Sequence, residues 1–314
     1  PTSFTTNTAL SHTGFMLALG SRKAYGPSSQ DGASRLTANY LAFGAALPHS
    51  VPDLPHCDFL LMLGANPLVS NGSFLYAPRI RHDLDDIASR GRVIVVDPRR
   101  TETAQRNEHV QIRPGGDVWL LLGMLRVMFD EGLVNRDALV DTTDGLERLE
   151  AEVLAVDVDL AAARAHLDPD VLRDIARSFA AAPRAAVYGR LGLCRNRFST
   201  LNNFLVTALN VVGGKFGVRG GTIFGYAVLA GSETAKPGGY QEMRSRVGGI
   251  PTVAKFLPSA AMPDDILVPG KGRVRALFVT AGNPVLAAPG GARLEEALRD
   301  LELLVSFDFY VNET

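Results

Sequence analysis

Short apolar runs alternate along the chain with amphipathic segments, a pattern typical of strands and helices in an α/β protein. Residues 58–63 form a largely apolar run that ends at Gly-Ala-Asn-Pro, residues 64–67. A helical pattern at 77–90 follows, and a second apolar run at 93–96 ends at Asp97-Pro98. Strand, helix and strand in this order predict a βαβ unit whose parallel strands are buried on both faces.

Other segments extend this pattern. Their periodicity predicts a third strand at 185–188 and helices at 10–19, 33–43, 118–129, 169–182 and 201–212. Residues 214–272 are rich in Gly, Pro and Ser and have little periodicity, which predicts a long ordered loop region.

The first pattern returns near the end of the sequence. Residues 274–280 form an apolar run that ends at Ala-Gly-Asn-Pro, and a helix at 294–301 leads to a strand at 303–307. The Asn-Pro pairs at 66–67 and 283–284 therefore hold equivalent places after a strand. The repeat predicts two related α/β domains, whose ligands bind at the edge formed by the carboxyl ends of the strands.

Composition narrows the classes of function. With 314 residues, 46% of them hydrophobic, the chain can bury more than one core. Lys and Arg (32) nearly balance Asp and Glu (33), which excludes a nucleic-acid binder driven by charge, and no apolar stretch is long enough to predict membrane insertion. Two cysteines and six histidines show no metal-ligand spacing. The dinucleotide glycine fingerprint, the Walker loop and the nucleophile elbow are missing from the sequence.

The two Asn-Pro turns carry groups that suit a nucleotide. A Gly or Ala beside the Asn lets the backbone approach a ligand closely, and Pro holds a turn whose N–H groups can face an anion. The Asn carboxamide offers a donor and an acceptor to a nucleobase edge or a ribose hydroxyl. The alternative is that each Asn-Pro pair only initiates a turn.

Polar residues after the second strand are further candidates. Asp97 at the strand tip suits a ribose hydroxyl, and Arg99 and Thr101 suit phosphate. The alternative is a helix N-cap with solvated arginines. Asp117 follows Arg-Pro-Gly-Gly at a helix N-terminus that favours anions, and it is either a ligand contact or only a cap.

The order of these motifs resembles a known family. LLMLGANPLVSNGS, RGRVIVVDPRRTETA and the RPGGD that opens an apolar helix resemble the successive motifs of molybdopterin-dependent oxidoreductases of the dimethyl sulfoxide reductase family, which contains formate dehydrogenases and nitrate reductases. YGRLGLCRNRFSTLNNFLVTALNVVGGKFGVRGG resembles its helix with a Gly-rich exit. VRALFVTAGNPVL with LELLVSFDFYVNET resembles the repeat in its second cofactor domain. The resemblance covers essentially the whole chain.

The resemblance implies a molybdenum or tungsten ion held by the dithiolenes of two molybdopterin guanine dinucleotides, one in each of two Rossmann-like parallel-sheet domains. It implies that one nucleotide contacts Gly64, Asn66, Pro67, Asp97, Arg99 and Thr101, with Asp117 near its guanine. Gly189, Gly192 and Leu193 would approach the pterin. The second nucleotide would contact Gly282, Asn283, Pro284 and Asp308.

The family also implies one protein ligand to the metal. Its usual place, on the segment before the first cofactor strand, corresponds to Asp31, and Ser28 and Ser29 are the rivals. Asp offers a hard oxygen that a high-valent metal accepts. The alternative is that Asp31 caps the helix predicted from residue 33.

The resemblance also implies a domain plan. We expect residues 1–26 to belong to the second cofactor domain, 27–230 to form the first, 231–272 to connect them, and 273–314 to return to the second, incomplete one. Both ends are expected to be truncated, with a [4Fe-4S] cluster in a preceding segment. The expected reaction is a two-electron exchange with a small-molecule substrate and an electron-transfer partner or subunit, in the cytoplasm. Arg244 and Arg246 in the loop region are candidates for steering an anionic substrate.

Other classes of protein remain open. One is a metal-free electron-transfer or scaffold subunit of the same fold, as in the large subunit of respiratory NADH dehydrogenases. A thiamine-diphosphate enzyme fits the duplicated turn poorly. A nicotinamide-dependent dehydrogenase ranks last because its glycine fingerprint is missing.

Overall fold

The computed structural model describes residues 14–72, 75, 77–225 and 237–314. The chain divides into two compact units. The central unit contains the described residues between 34 and 237, and the terminal unit contains the described residues up to 33 together with 238–314. Of the helix predicted at 10–19, residues 14–18 are helical, and 10–13 lie outside the described residues.

A four-stranded parallel sheet forms the middle of the central unit. Its strands are β1 (Phe59–Leu63), β2 (Arg92–Val96), β3 (Glu108–Val110) and β4 (Ala185–Gly189). Their order in the sheet is β3, β2, β1, β4, and every pair is parallel. The predicted βαβ unit and third strand are confirmed, whereas β3 was not predicted because a three-residue strand is too short to show a period.

Both faces of this sheet are buried. Leu61 and Leu63 belong to one apolar core, and Leu60 and Met62 belong to the other. All five residues of β1 are buried, as expected for a strand in a parallel sheet whose two faces are covered by helices. Burial on both faces explains why β1 has an uninterrupted apolar sequence.

Helices cover these faces and connect the strands. The predicted helices appear as Ala33–Phe43, Ile80–Arg90, α1 (Asp117–Asp130), Pro169–Ala181 and α2 (Ser199–Val212). Additional helices are Pro67–Ser70, Leu146–Leu154, Val158–Ala165 and Leu191–Cys194. Ser50–Pro52 and Thr222–Phe224 form an antiparallel pair. Among the described residues, no helix meets the length and hydropathy needed to cross a bilayer.

The terminal unit has a smaller parallel sheet. Its strands β5 (Ala276–Thr280) and β6 (Leu303–Phe307) are parallel, and helices Met262–Leu267, Pro284–Ala287 and Gly291–Arg299 accompany them. Within the predicted loop region, Tyr240–Arg244 pairs with Pro251–Val253, and Leu257–Pro258 pairs with Tyr25–Gly26 from an earlier part of the chain. The loop prediction was therefore too simple, because two- to five-residue strands leave almost no periodic signal.

The side chain of Asn210 completes the edge of the central sheet. Strand β4 has a neighbour on only one side within the sheet. From α2, the Asn210 carboxamide accepts a hydrogen bond from Val187 N–H at 2.9 Å and donates one to the Val187 carbonyl at 2.8 Å. Asn210 is 1% exposed, so these bonds replace those that a further strand would make.

We expect Asn210→Leu to lower the free energy of unfolding by roughly 2 to 5 kcal/mol, because two buried backbone groups of Val187 lose their partners. Chemical denaturation measures this change, and Thr200→Leu in the first turn of the same helix is the control. Equal stability of the Asn210 variant and the control would show that the edge does not depend on this side chain.

Candidate functional site

The register of the central sheet brings three strand tips to one level. Leu63 at the end of β1 pairs with Val96 on one side and with Gly189 on the other. The N–H of Gly64 donates to the Val96 carbonyl at 3.0 Å, and the N–H of Arg190 donates to the Leu63 carbonyl at 3.1 Å. The segments that begin at Gly64, Asp97 and Arg190 therefore leave the same edge of the sheet, where ligands of such sheets bind.

Two glycines allow the chain to cross itself at this edge. A Cβ atom on Gly64 would lie 2.6 Å from the Cα of Gly192, and Gly192 N–H donates to the Gly64 carbonyl at 3.0 Å. Gly64 also has a φ of 56°, in the left-handed region that favours glycine. Backbone packing alone thus requires glycine at both positions.

The other predicted residues at the tip of β4 are buried. Leu193 is 0% exposed and belongs to the apolar core, and its Cδ1 occupies the space that a Cβ on Gly189 would need. Arg35, which the sequence did not single out, lies behind this tip. Its guanidinium is 5.4 Å from the centre of the Tyr188 ring and donates to the Ser50 carbonyl at 2.5 Å.

Asn66 is held by residues that follow β2. Its Oδ1 accepts hydrogen bonds from the Thr103 hydroxyl at 2.8 Å and the Thr103 N–H at 3.2 Å. Its Nδ2 donates to Glu102 at 2.7 Å. The Thr103 hydroxyl also accepts from the N–H of Leu68 at 3.3 Å, so it ties Asn66 to the helix that begins at Pro67.

The polar residues at the tip of β2 differ in exposure. Asp97 accepts a hydrogen bond from Arg99 N–H at 2.9 Å. The Arg99 side chain is 64% exposed and pairs with Glu102 at 3.3 Å, a geometry that leaves it available to a solvent-side anion. Thr101 is only 3% exposed, and its hydroxyl accepts from Ala104 N–H at 3.1 Å, so its side chain serves a local turn.

Asp117 is a buried acid at the start of α1. It is 6% exposed, and its described side-chain partner is Asn196 Nδ2 at 3.5 Å. Burial, assisted by the nearby charge of Asp97, raises the pKa of this carboxyl to about 6 against a backbone hydrogen bond that lowers it. A buried carboxylate with spare lone pairs is an acceptor for N–H groups of a ligand.

The terminal unit repeats the Asn-Pro turn with nearly the same geometry. Asn66 has φ −128° and ψ 68°, and Asn283 has φ −120° and ψ 76°. The left-handed position of Gly64 (φ 56°) is filled by Ala281 (φ 52°). Gly282 therefore corresponds to Ala65, because each of these two residues directly follows the left-handed residue of its turn.

The bonds around Asn283 are also repeated. Nδ2 donates to Glu313, and Oδ1 accepts from the Thr314 hydroxyl at 2.9 Å. The Thr314 hydroxyl accepts from Val285 N–H at 3.2 Å. Asp308 matches Asp97, because its carboxylate accepts from the N–H two residues later, that of Tyr310, at 3.2 Å.

The remaining candidates of the terminal unit have separate surroundings. Asp31 is exposed, and its N–H donates to the Ser28 carbonyl at 3.0 Å at the end of the short helix Pro27–Gln30. Arg246 donates to carbonyls at the end of helix Met262–Leu267, including that of Val268 at 2.5 Å, and Arg244 donates to the Gly249 carbonyl. These bonds give both arginines local structural roles.

The Glu-Thr pairs that hold the two asparagines were not among the residues predicted from the sequence. The signal was present in the sequence, since Asp97 precedes Glu102-Thr103 by the same interval as Asp308 precedes Glu313-Thr314. In the part of the chain that the structure describes, no group of three or more His, Cys, Asp or Glu side chains is placed to hold a metal ion.

The sequence is similar to a known protein family along nearly all of its length. The family model for molybdopterin oxidoreductase matches residues 4–314. The chain is 26% identical over 294 residues to the F420-dependent formate dehydrogenase subunit alpha of Methanocaldococcus jannaschii, covering 89% of this chain and 43% of that protein. It is 29% identical over 297 residues to the assimilatory nitrate reductase of Haloferax mediterranei, covering 88% of this chain and 40% of that protein.

A solved structure shares the fold. The acetylene hydratase from Pelobacter acetylenicus superimposes with a TM-score of 0.76 at 22% identity, covering 94% of this chain and 44% of that chain. The chain thus spans less than half the length of each of these three proteins.

We expect Asp117→Asn to stabilise the fold at pH 8 by up to about 3 kcal/mol and to have no such effect near pH 4. The folded protein binds the Asp117 proton at about pH 6, whereas the unfolded chain binds it near 3.8. Above pH 6 the folded state therefore carries a desolvated charge, and this cost disappears as the pH falls from 6 to 4.

Denaturation at several pH values measures the effect. Asp170→Asn is the control, because Asp170 lies in the first turn of a helix with its side chain 94% exposed. A difference between Asp117→Asn and the unsubstituted protein that stays constant from pH 4 to 8 would contradict the buried-acid interpretation.

Proposed function

Because the chain belongs to the molybdopterin oxidoreductase family, we propose that it is the cofactor-binding part of an enzyme that catalyses a two-electron redox reaction at a molybdenum or tungsten centre. The relatives named as formate dehydrogenase and nitrate reductase support a reaction of that kind. The acetylene hydratase supports only the fold, so the redox assignment rests on the other relatives.

The proposal includes two molybdopterin guanine dinucleotides, one in each of two Rossmann-like domains. The observation that carries it is the duplicated strand-turn-helix: β1 and β5 each end in a left-handed residue and an Asn-Pro turn, and the Asn is bound by a Glu-Thr pair. The same network at two corresponding strand ends supports a corresponding ligand at each. We assign the domain boundaries predicted above, 1–26 with 273–314 and 27–230, to these two cofactor domains.

The residues present fit such a cofactor. Its nucleotide part needs donors for phosphate and ribose oxygens and an acceptor for the N–H edge of guanine. In the central unit the exposed Arg99 and the Nδ2 of Asn66 are donors, and the buried carboxylate of Asp117 is an acceptor. Gly189 and Gly192 would contact the pterin only through backbone groups, since the space beside their Cα atoms is filled by Leu193 and by Gly64.

Equivalent groups would serve the second nucleotide. Asn283 offers its Nδ2, and Asp308 at the tip of β6 offers a carboxylate that keeps acceptor capacity beside its local bonds. Pro67 and Pro284 begin the helices that follow the two turns. These prolines would hold each Asn at the edge of its sheet. In the terminal unit, Gly282 precedes Asn283 and would contact the second nucleotide together with it.

Asp31 would supply the protein ligand to the metal. When bound, the metal and its dithiolenes supply two-electron oxidation or reduction of the substrate. Asp31 fits this role because its carboxyl is exposed at the end of a short helix and because a carboxylate is a hard oxygen ligand. The neighbouring Ser28 and Ser29 are the rival ligands.

The proposal extends to the parts of an enzyme outside this chain. Two relatives are named as alpha subunits of formate dehydrogenases, which supports an electron-transfer partner or subunit, and we also propose a [4Fe-4S] cluster in a preceding segment. A small-molecule substrate and a cytoplasmic location remain predictions. The competing function is a metal-free scaffold of the same fold, and it is disfavoured because a scaffold does not need duplicated nucleotide contacts.

We expect the full-length protein, purified from a host that makes the cofactor, to contain about one molybdenum or tungsten and two guanine nucleotides per chain. Elemental analysis and chromatography of the nucleotides released by denaturation measure both. Protein that contains neither metal nor guanine would favour the scaffold. One nucleotide per chain would restrict the proposal to a single cofactor domain.

We expect Asp31→Ala to keep both nucleotides but to lose one oxygen neighbour of the metal and at least about 90% of the activity, because alanine has no atom that can replace the carboxylate oxygen as a ligand. X-ray absorption at the metal edge measures the change. Ser28→Ala and Ser29→Ala are the matched controls. Loss of the oxygen neighbour in a serine variant instead would move the ligand to that residue.

A further inference from the structure

We propose that each Glu-Thr pair is a positioning device that fixes its Asn carboxamide so that the amide nitrogen, and not the oxygen, is presented to the nucleotide. This inference rests on the proposed function, since it names the group that each Asn-Pro turn recognises. The pairs are Glu102-Thr103 for Asn66 and Glu313-Thr314 for Asn283.

The orientation of the Asn66 carboxamide follows from donors and acceptors that cannot exchange roles. A backbone N–H can only donate, so the atom of Asn66 that lies 3.2 Å from Thr103 N must be the oxygen. An ionised carboxylate can only accept, so the atom that lies 2.7 Å from Glu102 must be the nitrogen. A flipped carboxamide would lose both bonds and set two oxygens against each other.

The charge of each Glu is maintained by its surroundings. Its own backbone N–H, together with Asn66 and Arg99, holds the pKa of Glu102 below its usual range. The hydrogen bond from Asn283, with a further backbone bond, does the same for the pKa of Glu313. Both carboxyls are therefore acceptors at neutral pH, which keeps the nitrogen of each Asn on the Glu side.

The carboxamide of Asn66 has one hydrogen-bonding group left for a ligand. Its oxygen has two lone pairs, and the two bonds from Thr103 occupy both. Its nitrogen has two hydrogens, and one goes to Glu102. One N–H is left without a partner among the described residues. Asn66 can therefore bind only an acceptor, which matches a phosphate or ribose oxygen and does not match the N–H edge of guanine.

Asn283 follows the same plan with one difference. Its oxygen accepts from the Thr314 hydroxyl, whereas the N–H of Thr314 donates to Asn312 at 3.0 Å. One lone pair of the Asn283 oxygen stays open, but its nitrogen has the same orientation and the same remaining N–H. Asn66 can therefore act toward a ligand only as a hydrogen-bond donor. For Asn283 the orientation of the carboxamide is fixed in the same way, but its oxygen can still accept a hydrogen bond.

The first test replaces the amide nitrogen of Asn66 by an oxygen. This removes the hydrogen-bond donor but keeps the size and shape of the side chain. We expect Asn66→Asp combined with Glu102→Gln to bind one guanine nucleotide per chain instead of two, since the Gln amide can donate to the new carboxylate and preserve the contact. Glu102→Gln alone leaves Asn66 its N–H, so it should retain more nucleotide than the double variant. A double variant that retains two nucleotides would overturn the proposal.

The role of Thr is tested separately from folding. We expect Thr314→Val to lose one nucleotide, because the Thr314 hydroxyl is the described donor to the Asn283 oxygen. Thr314→Ser, which keeps the hydroxyl, should retain both, with thermal unfolding of the nucleotide-free proteins as the check on structure. Retention of both nucleotides by a folded Thr314→Val protein would contradict the positioning role.

The failure of this inference can be distinguished from the failure of the proposed function. If the unsubstituted full-length protein contains no guanine nucleotide, the proposed function fails and the variants have nothing to lose. If it contains two and the Asn66→Asp/Glu102→Gln protein also contains two, only the orientation device is refuted.

Discussion

The pairing of β1 with strands on both sides is the constraint on which the rest of the central unit depends. β1 is apolar along its whole length and contributes alternate side chains to two separate cores. A slip of one residue would exchange the side chains between these cores, so the register of β1 is tightly determined. That register sets Leu63 level with Val96 and Gly189, and the three chain segments that follow leave the sheet together.

Close approach of backbone segments is the second constraint, and it has a structural cause that is independent of any ligand. Gly64 and Gly192 are in contact through their backbones, and no side chain fits between them. A sequence motif that looks like a cofactor signature therefore has a packing requirement at its first residue. In the terminal unit Ala281 holds the same left-handed backbone conformation, which shows that the turn itself tolerates a methyl group.

Charge is distributed unevenly across the candidate site. Arg99 and Glu102 are exposed and paired, and such pairs contribute little to stability. Asp117 is the opposite case, because its burial costs stability whenever it is ionised. A fold that keeps an acid in that position gives up stability there, which is common where a buried group meets a ligand. Asn66 and Asp117 offer opposite groups to a ligand. Asn66 has one N–H donor left, whereas the Asp117 carboxylate has acceptor lone pairs left.

The amino-acid sequence by itself determined strands β1, β2, β4, β5 and β6, the longest helices of the central unit, the repeat of the Asn-Pro turn and the family. These are local signals: an apolar run, a stop at Gly or Pro, and a motif of adjacent residues. The helix Ala33–Phe43 and the strand Leu303–Phe307 have the predicted bounds. Only the tertiary structure decided that Asn66 meets Glu102 and Thr103, that Gly64 meets Gly192, that Asn210 completes the edge at Val187, and that Asp117 is buried. Each of these facts joins residues that are far apart along the chain, or depends on what surrounds a side chain. A hydrogen bond or a desolvated charge exists only after the sheet has brought those distant segments together.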